Sequence, residues 1–67
     1  IRWRATAGKS YFIFTSDFDS SCFTECFATS DTRFYNCGNY FQTKEHAEEA
    51  ARRVKETLRK YHEEIGE

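Results

Sequence analysis

Thr32-Arg33-Phe34-Tyr35-Asn36-Cys37-Gly38-Asn39-Tyr40-Phe41-Gln42-Thr43-Lys44-Glu45-His46-Ala47-Glu48 is the passage on which the fold turns, because the hydrophobic period changes within it. Thr32–Cys37 carries a β-branched residue and two aromatics and reads as a strand. Gly38 and Asn39 tolerate positive φ and suit a sharp exit from it. Tyr40 and Phe41 lead to Thr43, a good helix N-cap, and Glu45, Glu48 and Glu49 then sit favourably against the helix dipole. Downstream, Ala47, Ala50, Ala51, Val54, Leu58, Tyr61 and Ile65 recur at spacings of three and four, which predicts one amphipathic helix to about Ile65, closed by Gly66.

Working back from this passage, Ala28–Asp31 reads as a turn and Ser21–Phe27 as an alternating strand, with Phe23 and Phe27 on one face and Cys22, Thr24 and Cys26 on the other. Ser16–Ser20 has the short polar side chains of a hairpin loop. Tyr11–Thr15 is apolar without alternation, as in a central strand covered on both faces. Gly8–Ser10 is a turn, and Ile1–Ala7 alternates like an extended lead-in or an extra N-terminal strand. The expected fold is α+β: a three-stranded antiparallel sheet packed on one C-terminal helix, in the order β-β-β-α. It forms a single small domain over residues 1–67. The chain begins at Ile1 and has no methionine, so it is expected to be a segment of a longer protein.

Composition narrows the function. The chain has 67 residues and a net charge of −1. Residues 1–42 balance Arg2, Arg4, Lys9 and Arg33 against Asp17, Asp19, Glu25 and Asp31, without the positive field of a dedicated nucleic-acid binder. No apolar run reaches the ~20 residues of a membrane helix and no signal peptide is evident, so a cytoplasmic setting is expected. Cys22 and Cys26 are four apart in the second strand, roughly 13 Å, and do not bridge each other there. Cys37 can pair with either across strands, but free and mostly buried thiols are the expectation in a reducing setting. The cysteine spacing is wrong for zinc and neither His46 nor His62 has a nearby nucleophile, so neither a metal, a cofactor, a small-molecule substrate nor an enzymatic activity is expected.

Aromatic residues make up 18% of the chain, and all but Tyr61 precede Gln42. One helix covers only one sheet face, whereas Tyr11 and Ile13 point opposite to Phe12 and Phe14. Either the N-terminal segment with Trp3, together with Tyr40 and Phe41, covers the second face, or the aromatics form an exposed patch. The second option makes Trp3, Phe12, Phe14 and Phe18 the candidate contacts for a protein partner or a second copy of the chain. The alternative is nucleic-acid binding, with Arg2, Arg4 and Arg33 of the sheet region and Arg52, Lys55 and Arg59 of the helix flank touching phosphates. The last turns of the helix are expected to overhang the shorter strands and offer a further contact surface.

The run Cys37–Glu48, preceded by Asp31, Phe34, Tyr35 and the aromatic strand Tyr11–Phe14, resembles a family of short phage and prophage proteins in which a tryptophan, an aromatic strand and a Gly-Asn-x-Phe-x-Thr-x-Glu-x-Ala segment follow one another. The match covers about residues 3–55. It implies an accessory protein of a mobile element without implying a reaction. A looser resemblance, through Gly38, Phe41, Thr43, Glu45 and Ala47, is to the β-β-β-α DNA-binding domains of plant ethylene-response factors and of some integrase amino termini. It implies the fold, but the arginine and tryptophan readers on the strands of those families are not matched.

Overall fold

Aromatic and β-branched residues with little polar interruption favour extended backbone, and Ser10–Phe14 forms strand β1. Ser20–Thr24 forms β2, antiparallel to it, with Tyr11 opposite Phe23, Phe12 opposite Cys22 and Ile13 opposite Ser21. The computed structural model describes all 67 residues, Ile1–Glu67. Two helices complete the order β1-β2-α1-α2: α1 is Thr29–Cys37 and α2 is Lys44–Ile65. The fold is therefore α+β, as the sequence predicts, with a two-stranded sheet and two helices in place of three strands and one helix.

The largest correction is Thr32–Cys37, which is helical rather than a strand. Its helix starts in the segment expected to be a turn. Asp31, at the third helical position, accepts from the Ala28 N–H at 3.1 Å, which satisfies one of the backbone donors a helix start leaves open. Gly38 ends it at φ 88°, a left-handed conformation that a side chain would strain. Strand propensity in Thr32, Phe34 and Tyr35 is outweighed by this start and stop and by tertiary packing of Phe34 and Tyr35 on the core.

A remnant of the expected third strand survives just beyond. Phe12 and Phe41 exchange both backbone hydrogen bonds, each 2.8 Å, as a single antiparallel bridge. Two residues along β1, where the next such exchange would fall, the Asn39 side chain takes over. Its Oδ1 accepts from the Phe14 N–H at 2.8 Å and its Nδ2 donates to the Phe14 carbonyl at 2.8 Å. The primary amide thus imitates a peptide group in the ladder. The N-terminal segment is not a strand, although Ala5 is buried within it.

The sheet is a middle layer. Tyr11 and Ile13 join Ala5 and Tyr40 in the core cluster, with Phe34 and Tyr35 of α1 packed against it. The Tyr11 and Tyr40 rings stack at 4.2 Å between centroids, and Tyr35 meets Tyr40 edge-on at 5.3 Å. Strand alternation puts Phe12 and Phe14 on the other face, with Phe41 beside Phe14, and there α2 packs through buried Ala47 and Ala51. Small alanines let the helix approach half-buried aromatics closely. Thr43 caps α2 as expected, accepting from the His46 N–H at 3.1 Å, and Gly66 closes it at φ 75°. The last three turns extend past the sheet, and the molecule measures 44 × 24 × 22 Å.

Candidate functional site

Inward-facing carboxylates hold the end of β2 to the rest of the domain. Glu25 continues the alternation of Phe23 and therefore enters the Tyr11 side of the sheet, where it is fully buried. Its Oε1 accepts from Arg4 Nε at 2.9 Å and from the Tyr40 hydroxyl at 2.8 Å, and its Oε2 accepts from the Phe27 N–H at 2.9 Å. The Tyr40 hydroxyl in turn accepts from the Ala5 N–H at 3.0 Å, tying down the N-terminal segment. Burial pushes the Glu25 carboxyl up, but Arg4, Tyr40 and the Phe27 amide outweigh it and hold the group below its ordinary range.

Asp31 forms the second centre. Its Oδ1 accepts from the Tyr11 hydroxyl, and its Oδ2 from the N–H groups of Cys26 and Ala28, each at 3.1 Å, and from the Cys26 thiol at 3.2 Å. The Tyr11 hydroxyl and the Cys26 amide hold Asp31 well below the usual carboxylate range. Burial, then the bond to Asp31, push Tyr11 well above its ordinary value; burial, then Glu25, raise Tyr40. The same Asp31 bond raises the Cys26 thiol. Every buried side-chain polar atom has a partner. These groups spend their hydrogen-bonding capacity on one another, which suits a lock on the loop 25–28 and the N-terminal segment. From the sequence Glu25 reads only as a charge and Asp31 as a charge at the end of a turn, although the shared parity of Phe23, Glu25 and Phe27 is a signal for the first.

The aromatic candidates do not form one patch. Phe12 and Phe14 are half-buried under α2 with Phe41, while Trp3 lies across the sheet on Tyr40, 5.7 Å between centroids. Phe18 is half-buried in the β1-β2 loop at φ 63°. Trp3 and Tyr40 cover the second sheet face, as the first of the two options has it, whereas Phe41 lies on the α2 side and α1 supplies the rest.

Basic candidates are largely spoken for. Arg2 lies over the Tyr35 ring at 3.9 Å, and Arg4 lies over Phe27 and Tyr35, 4.8 Å from each, besides its pair with Glu25. Arg52 and Arg53 both pair with Glu49, and Arg59 pairs with Glu56 and Glu63. Arg33 and Lys55 are exposed on separate helices. The three cysteines form no disulfide, and all are exposed where mostly buried thiols are expected. No three or more His, Cys, Asp and Glu side chains converge to hold a metal ion.

The exposed apolar surface lies instead on α2. Beyond Ala51 the stripe continues through Val54, Leu58, Tyr61 and Ile65, exposed by 37, 47, 55 and 44% on the helical half that overhangs the sheet. No helix is long and apolar enough to cross a membrane. Comparison of the chain with protein-family models, curated proteins and solved structures finds no match.

Proposed function

We propose that this domain is a non-enzymatic protein-binding module, of the phage or mobile-element kind suggested by its Cys37–Glu48 passage, and that the overhanging half of α2 is its docking surface. The observation that carries this reading is the stripe Val54-Leu58-Tyr61-Ile65, four apolar side chains at 4-3-4 spacing on a helix half that the domain's own core does not cover. Such a stripe fits the apolar seam of a second helix.

Charge selects the kind of helix. Lys55 and His62 flank the stripe on one side, and Thr57 and Glu64 on the other. Antiparallel pairing of two copies sets Lys55 against His62, and parallel pairing sets those two against Ala50 and Thr57. Neither gives the basic flank a carboxylate. The partner is therefore an amphipathic helix of another protein with acidic residues along one edge. A nucleic-acid role fits less well, because Arg4, Arg52 and Arg59 are already paired with carboxylates and the remaining basic groups are scattered.

The experiment compares proteins retained by the 67-residue domain and by its Leu58→Lys variant, with helix content checked by circular dichroism. A helical partner held by the first and at least tenfold more weakly by the second is expected. Equal retention by both, or salt-sensitive binding of labelled duplex or single strands, overturns the reading.

A further inference from the structure

The outer edge of β2 is open. In an antiparallel ladder, successive residues turn their backbone groups alternately to one neighbouring strand and the other. Phe12 exchanges its bonds with Phe41, so Tyr11 and Ile13 turn theirs toward β2, to Phe23 and Ser21. The same alternation continues at both ends, where the Thr15 N–H donates to the Asp19 carbonyl at 2.7 Å and the Glu25 N–H to the Lys9 carbonyl at 2.8 Å. Ser20, Cys22 and Thr24 are left with N–H and C=O groups aimed away from β1, and no turn or loop backbone reaches them.

Proteins ordinarily blunt such an edge with charge, proline, a bulge or a covering segment. The far side of β1 is covered in this way by Phe41 and the Asn39 amide. Ser20-Ser21-Cys22-Phe23-Thr24 has no charge and no proline, and pairs with β1 in unbroken register. Phe23 is also 42% exposed beside it.

We infer that β2 is the pairing strand of a homodimer, in which a second copy's β2 adds antiparallel across a two-fold axis through Cys22 and makes one continuous four-stranded sheet.

The occupant follows from the edge's self-complementarity. With the axis at Cys22, Ser20 meets the second copy's Thr24, Cys22 meets its own counterpart, and all three outward residues of each copy exchange backbone bonds. Moving the register by two residues either way loses bonded pairs. No charged side chains oppose each other within the paired strands, and the two Phe23 rings become diagonal neighbours, within reach for aromatics. Asp19 falls opposite the second copy's Glu25, whose carboxylate is turned inward to Arg4. Outward residues of both copies share a sheet face, so each α2 keeps to one side and each α1 to the other. Five paired residues bury less than the ~1,200 Å² of a stable interface, so the dimer is a weak one that populates at high concentration. This surface is separate from the α2 stripe, and the inference does not rest on that stripe.

The test is amide hydrogen exchange on the 67-residue chain from micromolar to millimolar concentration, alongside sedimentation. Exchange at Ser20, Cys22 and Thr24 is expected to slow by about tenfold or more with concentration, while Ser21 and Phe23, already bonded to β1, are unaffected. The Cys22→Pro variant removes an N–H that β1 does not use, a position where an edge strand accepts proline, and is expected to remain folded and monomeric. In a Cys26→Ser, Cys37→Ser background, a short bis-maleimide, to which each thiol adds without an oxidant, is expected to link the two Cys22 side chains, because residues opposed in a bonded pair lie about 5.5 Å apart at Cα. Concentration-independent exchange at Ser20, Cys22 and Thr24 up to millimolar, or a dimer that survives Cys22→Pro and disappears in Leu58→Lys, overturns the inference.

Discussion

Asn39 works as part of a strand without being in one. Gly38 turns the backbone out of register, and the Asn39 amide restores both bonds to Phe14. Asn39→Asp keeps an acceptor but sets it against the Phe14 carbonyl, so a loss of about 1–3 kcal/mol in urea unfolding is expected. Glu25 and Asp31 govern the acid side of stability. Both carboxyls are held below their ordinary values in the fold, so they bind protons less readily there than in the unfolded chain. Their contribution is complete above about pH 5 and is lost as acid titrates them through their lowered folded values. Urea midpoints measured from pH 7 to 3 should fall, and Asp31→Asn should flatten that acid limb while lowering the midpoint at pH 7. Tyr11 and Tyr40, raised in the fold, work in the opposite sense: stability should decline above about pH 10, followed by tyrosinate absorbance.

Among the elements, α2 has two unlike halves. Ala47 and Ala51 sit against the sheet, so Ala51→Leu is expected to cost about 1–3 kcal/mol by overpacking. Leu58→Lys, on the overhang, should change stability by less than about 0.5 kcal/mol, read from the same urea curves. That helix was legible in the sequence because its cap, its period and its terminal glycine all agree. The hairpin was nearly as legible, since Ser16–Ser20 interrupts two apolar runs. Helix α1 was not, because Thr32, Phe34 and Tyr35 have strand-forming side chains and the element has only nine residues. Asp31 at its third position and Gly38 just past its end were the available signals. What seats α1, the bond from Tyr11 to Asp31 across twenty residues, leaves no local trace. The candidate surface was half legible: the overhang follows from helix length, whereas the scattering of Trp3, Phe12, Phe14 and Phe18 depends on which segment covers which face.

As a whole molecule the domain is elongated for its size. Its radius of gyration is 13.5 Å, against about 11 Å for a compact chain of this length. Small-angle scattering of the dilute monomer should show the long dimension, and truncation after Val54, which takes away about 17 Å of helix, should bring it close to the other two while leaving the hairpin and both carboxylate centres in place. Strand β1 lies at the centre of what remains: β2 on one edge, Phe41 and Asn39 on the other, α2 over one face, α1 and Ala5 over the opposite one. That placement has a kinetic meaning. The β1-β2 hairpin closes a short loop, whereas Asn39 reaches Phe14 across 25 residues, so the hairpin is the less costly of β1's two pairings and a template for the one that follows. Disturbing β1, as with Ile13→Val, should therefore slow folding, while disturbing the packing of α2 on the sheet at Ala47 should mainly hasten unfolding.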